Sequence, residues 1–141
     1  MIVVLALLAI LAHITFSGDI SFYKKKTFTE EVTSLYLSLM HTRIASMLNV
    51  CFGISCFDGK VHGVRVESDR YTLFQGGSFS DRDAAQDKII FFSSSISATS
   101  TGDVVFEQLN GNTKEGVIAI TDDTGLVVRI LINEEGRIEK E

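Results

Sequence analysis

The first twelve residues, Met1 to Ala12, form an unbroken apolar run at the N-terminus, and no charged side chain precedes Asp19. The chain contains no proline, so nothing covalent stops a helix that begins there. A helix that is apolar all round needs an apolar medium on every side. A chain of 141 residues supplies one modest domain plus an appendage, which is little with which to enclose such a helix. Three readings compete. A cleaved secretory signal fits the length of the run, but no basic residue precedes it and no clean small-x-small site follows. A buried core helix is awkward at the terminus of so small a domain. A membrane helix fits the energetics: Ile2, Val3, Val4, Leu5, Leu7, Leu8, Ile10 and Leu11, with Ile14 and Phe16, sum to about −3 to −6 kcal/mol of insertion free energy. The polar costs of His13, Thr15 and Ser17 stand against that sum. Eighteen helical residues rise about 27 Å, slightly less than a hydrocarbon core of about 30 Å. The segment therefore reads as a membrane helix whose beginning is missing. Lys24, Lys25 and Lys26 follow it and by themselves would keep this side in the cytoplasm; a charged leader ahead of Met1 would set the opposite orientation.

Residues 27–48 carry a helical period. Phe28, Val32, Leu35 and Leu39, broadened by Tyr36, Met40, Ile44 and Met47, outline one apolar face. From it Phe28, Val32, Leu35, Leu39 and Ile44 are the expected helix-to-sheet contacts. Glu30, Glu31, Ser34, Ser38, His41, Thr42 and Arg43 fall mostly on the opposite side. Thr27 with Glu30 fits a capping box or sits inside a continuous helix. Ser17-Gly18 is the one place where a bend is cheap. Residues 1–49 thus read as one long helix, apolar in its first half and striped in its second. The stripe is wider than a coiled-coil seam and asks for a broad partner surface.

From residue 57 the period becomes two. Segments 62–66, 71–74, 104–109, 117–121 and 126–132, with a last one at Ile138, read as strands. Lys88–Phe92 reads as a short strand buried on both faces. Asn110-Gly111, Asp122–Gly125 and Glu134–Gly136 supply turn chemistry. The expected fold is α+β: a long N-terminal helix, its amphipathic half packed on a mostly antiparallel meander. The expected organisation is 1–26 as the membrane part of the helix, 27–50 as its amphipathic half, and 51–141 as the globular β-rich domain.

Chemistry is sparse. The formal net charge is −5, and residues 51–141 hold nine Lys/Arg against fifteen Asp/Glu, about −6. An acidic surface repels a phosphate backbone, so nucleic acid is not an expected partner. Cys51 and Cys56 are the only cysteines. They form a candidate disulfide if the domain is exported, with free thiols as the alternative. Asp81, Asp83 and Asp87 are the densest carboxylate group; they lack the glycine of an EF-hand loop, sit beside Arg82 and Lys88, and read as a solvated loop. His13, His41 and His62 are scattered, and Ser93–Ser95 with Ser97 lack a nearby base and read as a polar strand edge or loop. No hydrolase elbow, phosphate loop or metalloprotease motif occurs. No catalytic residue, metal or cofactor is expected.

Taken together, Met1–Ala12, the amphipathic helix to Leu48, Val64–Phe74 and Ile132–Ile138 resemble the type IV pilin-like proteins. The resemblance is to the minor pseudopilins of type II secretion systems and the minor pilins of the GspH/FimT kind, and it covers nearly the whole chain. In such proteins a Gly-Phe-Thr-Leu-Ile-Glu segment stands directly before a run like Met1–Ala12. The family's cleavage glycine, N-methylated first residue and helix glutamate would lie ahead of Met1, and Ser17-Gly18 stands where a kink proline is usual. The Cys51–Cys56 loop is not a family feature. The resemblance implies a structural subunit without enzymatic activity. It would sit in the bacterial inner membrane with its C-terminal domain in the periplasm or outside, then pass into a filament. Its implied partners are other pilin or pseudopilin subunits, inner-membrane assembly proteins, and the lipid bilayer before assembly. A DNA-uptake pilin and a membrane-anchored enzyme are the alternatives. The first should show basic residues on the sheet domain or tail, the second a cleft of convergent polar groups.

Overall fold

A computed structural model describes the backbone of residues 2–53, 56 and 58–141, and, within that set, the side chains of Val3 and of residues from Phe22 onward. Helix α1 spans Ile2–Met47. It runs without a break through Ser17-Gly18 and through Thr27, so Thr27 sits in the helix interior and caps nothing. The side chains of Ile2, Val4, Leu5, Leu7, Leu8, Ile10 and Leu11, assigned above to membrane insertion, lie outside the described residues; Val3 is exposed. Among the described residues no helix is long and apolar enough to cross a membrane.

The chain forms two compact units, Met1–Glu31 and Val32–Glu141. In the first, Lys26 pairs with Glu30 one turn on at 3.7 Å, and the Thr29 hydroxyl donates to the Lys25 carbonyl at 2.9 Å. An exposed pair of this spacing contributes a few tenths of a kcal/mol, about 0.3. Phe28 belongs to this unit and is buried.

The second unit contains the end of α1 and, among the described residues, eight strands: β1 His62–Val66, β2 Arg70–Gln75, β3 Lys88–Phe91, β4 Ile96–Ser100, β5 Val104–Phe106, β6 Gly116–Asp122, β7 Val127–Ile132 and β8 Ile138–Lys140. They make two four-stranded sheets, ordered β3-β2-β1-β5 and β4-β6-β7-β8, and every pairing is antiparallel. This is α+β as expected, but the single meander is replaced by two sheets. The chain leaves the first sheet after β3, lays down β4 in the second, returns for β5, and finishes in the second. Period-two burial sets the register: Ile118 and Ile120 on β6 and Ile130 and Ile132 on β7 are buried, and Ile118 lies opposite Ile130. A one-residue slip would turn this row of isoleucines outward.

One further expectation is corrected, and an open one is resolved. Lys88–Phe91 is not buried on both faces: Ile89 is 51% and Phe91 64% exposed. The segment lacks polar alternation, as a central strand does, yet it occupies an edge and is paired on one side only. The serine-rich segment after it contains a strand, β4, in which Ile96 and Ala98 point inward and Ser97 and Thr99 outward.

Candidate assembly surface on the helix

The face that α1 turns to the sheets is built from two kinds of side chain. Val32, Leu35 and Leu39 are buried. Beside them Ser34, Ser38, Thr42 and Ser46 put a hydroxyl at every fourth position, so the row stays on one side of the helix. The Ser34 and Ser38 hydroxyls lie 3.1 Å and 3.3 Å from the phenol oxygen of buried Tyr71 on β2. The Thr42 hydroxyl donates to the Ser38 carbonyl at 2.7 Å. Ser46 is fully buried; its hydroxyl accepts the His62 N–H at 2.9 Å, and its carbonyl accepts the Leu109 N–H at 3.1 Å. Arg43 reaches from the flank to donate to the carbonyls of Gly111 at 3.4 Å and Glu135 at 2.9 Å. Small hydroxyl side chains let the helix approach the sheet closely while leaving none of the polar groups just named without a partner. The regular spacing was present in the sequence. Serine and threonine count as polar in any hydrophobic periodicity, so Ser34, Ser38 and Thr42 fall on the side opposite the apolar stripe when the sequence is read alone.

Ile44 is a correction. It is 48% exposed, because at about 100° per residue it lies roughly 180° around the helix from Leu35. Ala45 and Ser46 take the buried positions at that level. Ile44 belongs instead to an outward stripe with Leu37, 59% exposed, and Leu48, 70% exposed, on which exposed His41 also falls. Positions 37 and 44 lie within about 20° of one another, and Leu48, one residue past the end of α1, is held to the last turn by its N–H bond to the Ile44 carbonyl at 2.8 Å. An apolar row of this length left exposed on an outer helix face is suited to meeting another helix.

Past the helix, the structure places Cys51 and Cys56 together as a pair, their Cα atoms 5.8 Å apart. The loop that carries them is held by Gln75, whose side chain accepts from the Phe52 N–H at 2.7 Å and donates to the Phe52 carbonyl at 3.2 Å. Behind this loop a cleft of about 270 Å³ opens between α1 and the first sheet, lined by His41, Phe52, His62, Leu73 and Lys88 among others. The His62 ring meets Phe52 edge-on at 5.5 Å and bonds the Val50 carbonyl through Nε2 at 2.9 Å. Burial holds the imidazole below its ordinary pKa; the Val50 bond opposes this and nearby His41 adds to it. The folded state therefore binds this proton less readily than the unfolded state. Its contribution is fully present above the unfolded value of about 6.5 and is lost as pH falls from there through the lower folded value. The melting temperature is expected to fall between pH 7.5 and pH 5.5, with a shallower slope in His62→Gln. Equal slopes would show that other groups set the acid sensitivity.

The acidic loop is structural. Asp83 accepts the Ala85 N–H at 3.2 Å to cap the short 3-10 turn Ala84–Gln86. Asp87 pairs with Arg82 at 2.7 Å. Arg82 also covers the Phe79 ring at 3.7 Å, and Arg65 lies over the same ring at 4.5 Å. Phe79 in turn meets Phe74 edge-on at 5.5 Å. Among the described residues no three His, Cys, Asp or Glu side chains are gathered as a metal would require.

A long N-terminal helix whose second half is laid on antiparallel sheet defines a pilin-like fold. The chain is similar in structure to the minor pseudopilin EpsH from the type 2 secretion system of Vibrio cholerae, with a TM-score of 0.61 and 13% identity over 80% of this chain and 94% of that one. At that identity the likeness establishes the fold. No protein-family model matches the chain, and no curated protein matches it in sequence.

Proposed function

We propose that the protein is a structural subunit of a type II secretion pseudopilus or a type IV pilus, assembled through α1. The observation that carries this is the outward stripe of Leu37, Ile44 and Leu48, exposed on the side of the helix opposite its buried row. In a filament these side chains would lie against helices of neighbouring subunits. Covering their exposed parts contributes about 4 kcal/mol per subunit, which offsets part of the freedom lost on association. The run Ile2–Leu11 would rest in the inner membrane beforehand, where lipid satisfies its apolar surface. Neighbouring helices would replace the lipid on assembly, with the inner-membrane assembly proteins as the other partners. The domain after the helix would then stand in the periplasm or outside the cell, where a Cys51–Cys56 disulfide persists. Nothing in the arrangement of polar groups described above calls for enzymatic chemistry.

The test is fractionation of cells producing the full chain or its Leu37→Ser/Ile44→Ser/Leu48→Ser variant. The unaltered chain is expected in both the membrane fraction and the sedimenting filament fraction. The variant is expected at equal total amount, with an unchanged circular dichroism spectrum, but depleted at least tenfold from filaments. Equal incorporation of the variant, or absence of the unaltered chain from both fractions, would sink the reading.

A further inference from the structure

The cleft of about 270 Å³ between α1 and the first sheet follows from the strand register. Lys88 on β3 lies opposite Leu73 on β2, and His62 on β1 lies opposite Gln75 on β2. Leu73 and Gln75 are two residues apart, so all four side chains stand on one face of the sheet. That face is the one turned to α1, since Tyr71 on the same strand reaches Ser34 and Ser38. The helix adds His41 and Ala45 to the lining, and the disulfide loop adds Phe52. Both backbone groups of Phe52 are held by Gln75, and Cys51 and Cys56 bracket it. This wall is therefore set before any ligand arrives.

The charge of the lining runs against the composition. The protein holds 18 Asp and Glu against 13 Lys and Arg, yet among the described residues no carboxylate lines this cleft. Lys88 and His41 line it, and both are exposed, which puts them at its rim. The carboxylates nearest to Lys88 in sequence are engaged elsewhere: Asp87 pairs with Arg82 at 2.7 Å, and Asp83 accepts the Ala85 N–H. Among the described residues no ion pair reaches Lys88 or His41. Buried His62 has His41 as its charged neighbour. Between these groups the wall is apolar, made by Leu73, Phe52 and Ala45. A preformed apolar space with uncompensated cations at its rim is complementary to a molecule with an apolar body and one negative charge.

We propose that this cleft binds a small monocarboxylic acid whose body is the size of one ring, its carboxylate met by Lys88 and His41 and its body by Leu73 and Phe52. This goes beyond the filament reading and does not depend on it. The volume lies just under the roughly 300–1,000 Å³ of ordinary small-molecule sites, which leaves room for about ten non-hydrogen atoms at interior packing density. The walls argue against the end of a polypeptide as the occupant. β1 and β2 are each paired on both sides, and the backbone of α1 is bonded within the helix. These walls offer no free backbone group to a bound chain.

The test uses the full chain in uncharged detergent at pH 6.5, with 3-phenylpropanoate as probe at free concentrations set by dialysis, followed by amide NMR. Saturable shifts are expected at Phe52, His62 and Leu73 with a Kd of about 1 mM, and none at the amides of β8. The neutral isostere 3-phenylpropan-1-ol should bind at least tenfold more weakly. So should the probe to the Lys88→Gln/His41→Gln variant, in which both changes are at exposed positions and circular dichroism should be unaltered. Lys140→Gln, which removes a lysine far along the chain on β8, should bind the probe as the unaltered protein does. Absence of saturable shifts at the cleft, equal binding by the alcohol, or equal binding by the double variant would overturn the proposal. So would binding of acetyl-Gly-Gly-Phe at least tenfold more tightly than the free acid, which would assign the cleft to the end of a polypeptide.

Discussion

Gly136→Ala is expected to lower the stability of the second unit by about 4 kcal/mol, or roughly 15 °C in melting temperature. Gly136 lies in the turn between β7 and β8 at a φ of +72°, where the Asn133 carbonyl accepts its N–H at 2.9 Å. A side chain costs about 1–2 kcal/mol there from the left-handed backbone alone. The larger part is steric and electrostatic. A β-carbon would run into the Gly111 carbonyl oxygen and stand 2.9 Å from Arg43 Nε, the two atoms that bond each other across the seam. Displacing Arg43 removes its bonds to Gly111 and Glu135 together, each worth about 1.5 kcal/mol or more for a charged donor. Gly125→Ala is the control: its φ is +86° but nothing lies within 4 Å of the added carbon, so only the backbone cost of about 1–2 kcal/mol applies. Thermal melts of the two variants within a few degrees of each other would show that the seam around Arg43 contributes little.

The second large effect separates the two faces of the helix. Leu39 is completely buried, and Leu39→Ala is expected to cost about 3 kcal/mol from lost transfer energy and the cavity left behind. Ile44→Ala removes an exposed side chain and should stay within about 0.5 kcal/mol. Urea titration of both variants, read at constant slope, measures the difference. Comparable losses at the two positions would mean that the buried face has been misplaced by half a turn.

These two positions also show what the sequence could convey. The helix and most of the strands were legible because each follows from periodicity, 3.6 or 2, and from turn residues such as Asn110-Gly111. Ile44 was misplaced because the apolar stripe was drawn to include every large apolar residue, and such a helix has two apolar faces. One is occupied by its own sheet and the other is left outward. Nothing local distinguishes them. The hydroxyl row at 34, 38, 42 and 46 is visible only once Tyr71 and His62 are known to lie opposite it. The exposure of β3 was hidden for a related reason. Ile-Ile-Phe-Phe has the composition of a central strand, and whether a strand is central or at an edge depends on where the chain goes afterwards. Here it goes to β4 in the other sheet, which leaves β3 with one neighbour. β4 reads from sequence only as a polar strand edge or a loop because its inward residues, Ile96 and Ala98, are few and its outward ones are serine and threonine.

The ties between helix and sheets have a mechanical meaning. Ser34, Ser38, Arg43 and Ser46 bond to strands and turns at successive levels along α1, spread over about 18 Å of helix axis. A tug along that axis loads these bonds side by side, in shear, and none can fail first without its neighbours sharing the strain. A sideways tug would open them one after another like a zip. The β domain is thus coupled to its helix stiffly in the lengthwise direction and softly across it, so axial tension is carried into the domain as a whole.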